Sequence, residues 1–395
     1  MKKFLISIIL SVLIVFPSYG ETVKLGIIFG YTGPIESLTP DMAKASELAI
    51  SEVNKSGKFM SGNTTIKGVR ADSTCVGAAA ATAAAEILVT SDKVNAIVGA
   101  DCSGVTTAIL QNVAMPNGVV MISPSATSPG LTTLDDNGYF FRTAPSDARG
   151  GQILADITKD RKVKSVAVTH TNNDYGKGLA DVYVAAVKAH GIEVTVVTAH
   201  EEGKGDYGAE VATLASAGGD ALAVLGYLDQ AGGSIIAGSL DAGSFDRFVL
   251  SDGMIGDSLT DRFGKDLNKS FGSLPGSTGK GAGVFATVAS GAGIDSSGPY
   301  TGESYDAAAL IVLAMQAGGK ADRATVQKNV MDVANAPGKK IYPGELKKAL
   351  DLLAKGKAVN YEGATAVEFT DVGEAFGSFL EKEIKGGKFK TKKQR

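Results

Sequence analysis

Short apolar runs alternate along this chain with longer segments of helical periodicity. The apolar runs are rich in Val and Ile and have the length of buried strands; they read VKLGIIF, VNAIVG, GVVMIS, SVAVTH, IEVTVVTAH, DALAVLG and FVLSDG. Between them lie patterns such as TPDMAKASELAISEVNKSG, where a proline near the start and a glycine just past the end are typical of a helix. Alternating strands and helices predict an α/β protein with parallel sheets covered on both faces. We expect two doubly wound domains, with a single barrel as the alternative that the pattern leaves open.

The N-terminus has the pattern of an export signal. Two lysines precede an uncharged apolar run over residues 4–16, and small residues follow it as far as Gly20. The run is short for a membrane span, which needs about 20 apolar residues. We therefore predict a signal peptide over residues 1–20, cleaved near Gly20, and a periplasmic mature protein; an uncleaved membrane anchor is the alternative. Residues 21–395 suffice for two domains of about 100–200 residues each.

The net charge and the cysteine content limit which partners, cofactors and crosslinks the sequence predicts. With 39 basic and 42 acidic residues and a net charge of −3, the chain offers no bulk electrostatic attraction for nucleic acid. Cys75 and Cys102 form an even pair in an exported protein, so a disulfide is expected. They and the three histidines lack the spacing of metal ligands, and we predict neither a metal site nor a cofactor. The basic C-terminal stretch KGGKFKTKKQR is expected to be a frayed, solvated end.

The residues that follow each apolar run are the candidates for a binding site, because ligands of open α/β sheets bind beyond the carboxyl ends of the strands. Glycines and hydroxyls follow the earlier runs, as in GADCSG and SPSATSPG. Tyrosines and carboxylates follow the later ones, as in NNDYGKG, GYLDQAGG and SDGM. Hydroxyls and backbone N–H groups at helix starts suit a carboxylate, and an acidic side chain opposite them suits an ammonium group. The combination predicts a pocket for a zwitterion.

Six motifs, in the same order, resemble the type I periplasmic solute-binding proteins of ABC transporters, in their leucine/isoleucine/valine-binding branch. They are LGIIFGYTGP, DSTC…VGADCSG, ISPSATSPGLT, FFRTAPSD, NDYGKGLA and YEGATAVEFTDVGE, and they extend over essentially the whole mature chain. The resemblance implies a monomer of two lobes joined by a three-strand hinge, which captures a small amino acid, branched-chain or related, and delivers it to a membrane permease. With crossings near Thr143, Thr287 and Ala364, the expected lobes are residues 21–143 plus 288–364 and residues 144–287 plus 365–395.

The resemblance also assigns the residues that bind the ligand carboxylate. In this family the serine of the GADCSG loop holds that carboxylate, which carries over to Ser103. The hydroxyls and backbone of Ser125, Ala126 and Thr127 complete the cradle and accept from the amino group. The alternatives are purely structural roles, in which Ser103 caps the following helix and Thr127 belongs to a turn before Ser128-Pro129.

The second lobe is expected to supply the partner of the ammonium group. The family's acidic residue falls on Asp252, and its second-lobe tyrosines correspond to Tyr175 and Tyr227. A plain turn at Asp252 and tyrosines that only pack as cleft walls are the alternatives. The family disulfide matches Cys75 with Cys102, which would pin the carboxylate-binding loop and place Cys102 at the cleft.

Two departures from the family pattern bear on the ligand. Leu38 stands in the first loop where the branched-chain proteins carry a tyrosine that lines the pocket, and Asp252 stands where they usually carry Glu. A missing methylene discriminates between ligands by only about 1–3 kcal/mol. We therefore predict an amino acid without specifying leucine. The rival functions are a binding protein for a non-amino-acid carboxylate or amide, an exported sensor, and an exported enzyme; for the last, neither a nucleophile with its base nor a set of metal ligands is evident.

Overall fold

The computed structural model describes residues 21–395, so the predicted signal peptide lies outside the described residues. The first sheet has the strand order β2-β1-β3-β4-β5 and is parallel throughout. Its strands are β1 Glu21–Phe29, β2 Thr64–Asp72, β3 Ala96–Gly99, β4 Val120–Ser123 and β5 Phe140–Arg142. Its helix-covered faces explain why the inner strands β1, β3 and β4 are mainly apolar runs, whereas the edge strand β2 is largely polar.

The second sheet has the order β14-β13-β10-β9-β8-β6-β7 and is parallel from β6 to β10. Its strands are β6 Ser165–Thr171, β7 Glu193–His200, β8 Ala221–Leu225, β9 Phe248–Leu250, β10 Phe271–Pro275, β13 Phe379–Ile384 and β14 Phe389–Gln394. A small parallel pair joins β11 Lys339–Ile341 to β12 Val359–Tyr361. Two separate, mainly parallel sheets confirm the prediction of two doubly wound domains over that of one barrel.

The basic C-terminal stretch is not a frayed end, and the prediction for it is wrong. Strand β14 pairs antiparallel with β13, which pairs antiparallel with β10. The terminal Arg395 donates through Nη2 to Glu381 Oε2 at 2.5 Å, and Arg161 donates to Glu381 Oε1 at 2.7 Å. Glu381 is fully buried, so these charge-assisted bonds hold the basic strand on the sheet. The many lysines of this stretch suggest a solvated end, and nothing in the sequence indicates that Glu381 pairs with Arg395 and Arg161.

Twelve α-helices of the described residues cover the sheets. They are α1 Thr39–Ser56, α2 Ala78–Glu86, α3 Ser103–Ile109, α4 Asp147–Asp160, α5 Asp174–Ala189, α6 Gly208–Ala217, α7 Ala231–Asp241, α8 Asp257–Phe263, α9 Lys280–Gly291, α10 Thr301–Gly318, α11 Arg323–Ala334 and α12 Leu346–Leu353. Helix α1 has proline in its first turn and ends at Gly57, whose φ of 59° is a left-handed conformation that favours glycine. Helix α10 packs between α1 and α11 and is buried without interruption from Glu303 to Gln316.

The chain passes between the two sheets three times. It leaves the first sheet after Arg142 and enters α4, and it returns after β10, because α9 lies against residues 363–364 and α10 against α1. Residue Glu374 still bridges to Arg142, whereas Phe379 begins β13 in the second sheet. We propose that the crossings lie at 143–146, 276–279 and 376–378. The second lies before and the third after the positions expected from the sequence, Thr287 and Ala364.

None of the helices in the described part of the chain is both long and apolar enough to cross a membrane.

Candidate functional site

A small cavity of ≈30 Å³ lies where the strand ends of the two lobes face each other. Its lining combines apolar side chains, hydroxyls and carboxyls from both lobes: Ile35, Leu38, Met42, Asp101, Cys102, Ser103, Ser125, Tyr175, Tyr227, Asp252, Gly253 and Tyr300. This volume is well below the range of about 300–1,000 Å³ for ligand pockets, so the two lobes enclose little free space in this arrangement. Of the residues predicted for the site, Ala126 and Thr127 do not line it.

The predicted disulfide between Cys75 and Cys102 is present, with the two Cα atoms 5.2 Å apart. It joins the loop after β2 to the loop after β3, directly before Ser103 begins α3. Cys102 itself lines the cavity. The crosslink thus fixes the base of the loop that presents Ser103.

Asp101 braces the same loop from inside, a role that the sequence reading did not assign. Its Oδ2 accepts from the N–H of Gly30 at 2.5 Å, and its Oδ1 accepts from Ser73 Oγ and from the N–H of Cys102, both at 3.0 Å. Burial raises the pKa of this carboxyl to about 6. One side chain therefore ties together the loops after three neighbouring strands. Its position at the end of an apolar run, in GADCSG, was the available signal.

The hydroxyls of Ser103 and Ser125 in the first lobe differ in whether they can still donate or accept a hydrogen bond. Ser103 Oγ accepts from the N–H of Ser128 at 3.1 Å, so its own proton is free to be donated into the cavity. Ser125 Oγ donates to the carbonyl of Asp101 at 3.0 Å and keeps only its acceptor capacity. Thr127 Oγ1 is buried and has no hydrogen-bond partner among residues 21–395.

Arg142 holds the 126–128 segment in place. Its Nη1 donates to the carbonyls of Ala126 and Ser128, at 3.0 and 2.9 Å. Its Nη2 donates to Thr132 Oγ1 at 2.7 Å and to Glu374 Oε2 at 2.5 Å. The guanidinium is 1% exposed and both Nη groups are engaged, so this buried cation is not directed at a ligand.

Asp252 is clasped by two tyrosine hydroxyls. Tyr175 OH donates to Oδ1 at 2.6 Å and accepts from the N–H of Gly253 at 3.3 Å, while Tyr300 OH donates to Oδ2. Burial raises the pKa of Asp252 above its ordinary value. Because Tyr300 precedes α10 in the first lobe and Asp252 follows β9 in the second, this contact spans the cleft. The sequence reading missed Tyr300, which lies in a glycine-rich linker and follows no strand.

A second carboxyl lies buried beside this one. Asp147, the first residue of α4, is 3% exposed, and its Oδ2 has no hydrogen-bond partner among the described residues. Burial, and after it the negative charge of Asp252, raise the pKa of Asp147 well above its ordinary value, while the nearby Thr127 hydroxyl and the positive charge of Arg142 act in the opposite direction. The N–H of Asp147 donates to the carbonyl of Thr127 at 2.8 Å, which places it next to the predicted carboxylate cradle. The sequence reading missed Asp147, because the short strand β5 that precedes it was not among the predicted apolar runs.

The remaining walls are aromatic and aliphatic. Tyr175 and Tyr227 stack with ring centroids 5.2 Å apart, and Asn173 Nδ2 donates to the Tyr227 hydroxyl at 3.4 Å. Leu38 faces Gly256 across the cleft, where a Cβ atom would come within 2.8 Å of Leu38 Cδ2. Leu38 therefore closes one end of the cavity against a residue that has to be small.

Further hydrogen bonds join the lobes around the cavity. The N–H of Ser37 donates to Asp229 Oδ2 at 2.9 Å, and the N–H of Asp229 donates to the carbonyl of Pro34 at 3.0 Å. On another side, Ser128 Oγ donates to the carbonyl of Asp174 at 3.0 Å. Together with the bond between Tyr300 and Asp252, these contacts define a closed arrangement of the two lobes.

Within residues 21–395 no group of three or more His, Cys, Asp or Glu side chains is arranged to hold a metal ion.

Comparison with known proteins identifies a family and several relatives. The family model described as periplasmic binding protein matches residues 22–337. The Leu/Ile/Val-binding protein homolog 3 of Brucella melitensis is 31% identical over 58% of this chain, and the chain spans 60% of that relative's length. The leucine-, isoleucine-, valine-, threonine-, and alanine-binding protein of Pseudomonas aeruginosa is 28% identical over 78% of this chain and 82% of its own.

Two solved structures share the fold. The leucine-binding protein of Thermotoga maritima superposes with a TM-score of 0.77 at 20% identity, covering 94% of this chain and 98% of its own. A solute-binding protein of an ABC transporter from R. palustris, in complex with benzoate, has a TM-score of 0.75 at 16% identity, covering 94% and 96%. At these identities the likeness concerns the fold.

Proposed function

This chain belongs to the type I periplasmic binding proteins, in the leucine/isoleucine/valine-binding branch, and from that premise we propose that it captures a small amino acid, branched-chain or related, for an ABC importer. The family consists of substrate-binding proteins, and we propose that this member likewise performs no catalysis. It would act in the periplasm as a monomer and deliver its ligand to a membrane permease. The relatives named for leucine, isoleucine and valine support the ligand class.

The observation that carries the proposal is a pair of buried carboxyls that lack a cation. Asp252 accepts from two phenols and from the backbone N–H groups of residues 252 and 253, all of them neutral donors. Neither Asp252 nor Asp147 forms an ion pair among the described residues. Arg142 is a buried cation, but both of its Nη groups donate to other acceptors. An ammonium group that contacts Asp252, with the charge of Asp147 behind it, would supply the missing positive charge.

The opposite side of the cavity suits the ligand's carboxylate. The free proton of Ser103 is directed to a cavity that also contains Ser125, and the unpartnered hydroxyl of Thr127 belongs to the same loop system. A carboxylate accepts such protons and thereby satisfies a buried donor. In this proposal Ser103 is the principal contact, and Ser125 and the backbone of Ala126 shape the loop.

The ligand's side chain would lie against Ile35, Leu38 and Met42, with the stacked Tyr175 and Tyr227 on the other side. These groups offer apolar contacts and no charge. An aliphatic side chain gains about 25 cal/mol for each square ångström of apolar surface that it buries there. Branched-chain and smaller aliphatic amino acids therefore fit better than charged ones.

Thermal unfolding against a ligand panel tests the proposal. The mature protein, stripped of bound ligand, is mixed with each common amino acid and with carboxylates that lack an amino group, benzoate included. A ligand at about a thousandfold excess over its Kd adds about 4 kcal/mol to the free energy of unfolding. We expect a rise in Tm with one or a few aliphatic amino acids. A rise with benzoate or other plain carboxylates alone would favour a carboxylate-binding function and remove the role of Asp252.

A further inference from the structure

A second cavity, of ≈260 Å³, lies at the crossings between the lobes. We call it the hinge cavity; its walls come from segments 274–278, 296–303 and 364–365, together with Ala282, Phe285, Leu380, Lys382 and Thr391. Tyr300 lines both this cavity and the ligand cavity. The hinge cavity is thus separate from the proposed amino-acid site and adjoins the parts of the chain that change shape when two lobes open or close.

Glu303 is an acid without an ion-pair partner in the wall of this cavity. It is 4% exposed, none of the described residues forms an ion pair with it, and its carboxyl accepts a hydrogen bond from its own backbone N–H. Asp306, one turn further along α10, accepts instead from Tyr361 OH, from the N–H of Ala364 and from Thr365 Oγ1, each at 2.8 Å. Glu303 therefore has fewer partners than Asp306, its neighbour on the same helix, and no cation beside it.

The surroundings of Glu303 are consistent with a missing cation. Burial, with a smaller contribution from the charge of Asp306, raises the pKa of Glu303 to about 8. Its backbone carbonyl accepts from Thr143 Oγ1 at 2.9 Å, so the residue is attached to the first crossing. A positive group in the cavity would return the carboxyl to its ionised form.

Lys382 presents the opposite charge to the same cavity. It lies on β13 in the second lobe, and its Nζ donates to Thr391 Oγ1 at 2.9 Å. No carboxylate among the described residues lies within ion-pair distance of this amine. Burial lowers the pKa of Lys382, and the charge of Asp257 opposes that effect. The lysine is a cation with no close anion.

We propose that the hinge cavity binds a second small zwitterion, whose ammonium group contacts Glu303 and whose carboxylate contacts Lys382. Glu303 belongs to the first lobe and Lys382 to the second, so one molecule would bridge the lobes. Such a molecule binds the closed arrangement in preference to an open one and therefore strengthens binding in the ligand cavity. The proposal does not depend on which amino acid the ligand cavity takes.

The test uses 4-aminobutanoate as the probe, with butylamine and butanoate as matched molecules that carry one charge each. Isothermal titration is performed on the mature protein and on its Glu303→Gln, Lys382→Met and Asp252→Asn variants, after circular dichroism has checked each fold. We expect saturable binding of 4-aminobutanoate to wild type and to Asp252→Asn. The affinity is expected to fall about tenfold or more in Glu303→Gln and in Lys382→Met, since each variant loses a charge-assisted hydrogen bond. Butylamine and butanoate should each bind more weakly than the probe.

Two results would overturn the proposal. One is no saturable binding to wild type. The other is binding that disappears in Asp252→Asn and persists in Glu303→Gln, which would place the probe in the ligand cavity. If Glu303→Gln fails to fold, Lys382→Met decides by the same criterion, because Lys382 is only partly buried.

Discussion

Replacing Asp252 by Asn should change stability and ligand binding in opposite directions. The carboxyl is buried, and its raised pKa means that the folded state disfavours its ionised form. Between the ordinary pKa of about 3.9 and the raised value the folded state binds more protons than the unfolded state, so the contribution of Asp252 to stability falls as pH rises. An asparagine has no charge to bury, and the Tyr300 hydroxyl can turn to accept from its amide. We therefore expect Tm of the ligand-free protein at pH 7 to stay or to rise.

Binding should suffer from the same change. The ligand's ammonium group would lose a hydrogen bond to an ionised acceptor, and such bonds contribute about 1.5–3 kcal/mol. That free energy corresponds to a rise in Kd of roughly 10- to 150-fold. Tyr175 keeps its contact with the N–H of Gly253, so the cavity wall should survive the substitution.

The assay is isothermal titration with the amino acid that gives the largest thermal shift, together with Tm measured with and without it. Asp135→Asn is the matched control, because it makes the same chemical change at an exposed position outside the cavity. Unchanged affinity together with a lower ligand-free Tm would refute the reasoning. It would show Asp252 to be a structural acceptor for two tyrosines instead of a ligand group.

Three further variants give separate tests. Removing both Cys75 and Cys102, which close a loop of sequence separation 27, should lower the free energy of unfolding by about 3–4 kcal/mol, and an unchanged urea midpoint would contradict this. Glu303→Gln should flatten the loss of stability that wild type undergoes as pH rises from about 4.5 to 8, measured as Tm against pH in ligand-free protein. Asp229→Ala removes the bonds to Ser37 and should speed ligand dissociation about 2- to 10-fold in stopped flow, with the ligand-free Tm unchanged.

The apolar runs predict most of the fold because a strand covered on both faces must be apolar along its length. The runs around Val98, Ile122 and Val224 each became an inner, fully buried strand, and the run around Val168 became an inner strand that is buried over most of its length. The C-terminal strand β14 escaped prediction for the opposite reason. It lies at an edge and is mostly exposed, so its sequence carries charge instead of apolar residues. The contact between Arg395 and the buried Glu381 of β13 holds β14 on the sheet. Amino-acid composition does not predict such a pairing.

Some residues of the candidate site could likewise be predicted from the sequence, and others could not. Residues that directly follow strands, such as Ser103 and Asp252, could be selected because parallel strands end at one edge of a sheet. Asp147 and Tyr300 reach the site from the linkers that enter α4 and α10, where the path of the chain between lobes decides position. No spacing rule places those linkers. The unpartnered oxygen of Asp147 and the clasp on Asp252 therefore emerge only from the coordinates.

The buried carboxyls also bear on why the lobes would close only around a ligand. In the closed arrangement Asp252 and Asp147 are desolvated, which disfavours the ionised form of both, and the charge of Asp252 adds to this cost at Asp147. Hydrogen bonds such as that from Ser37 to Asp229 offset part of this cost, but they lie near solvent and each contributes only about 0.5–1.5 kcal/mol. A bound ammonium group would lower the free-energy cost of burying these carboxyls directly, because it supplies the positive charge that they lack. The same interaction then supplies both affinity and closure, so the closed population would follow ligand occupancy, and a permease that selects the closed form would select the loaded protein.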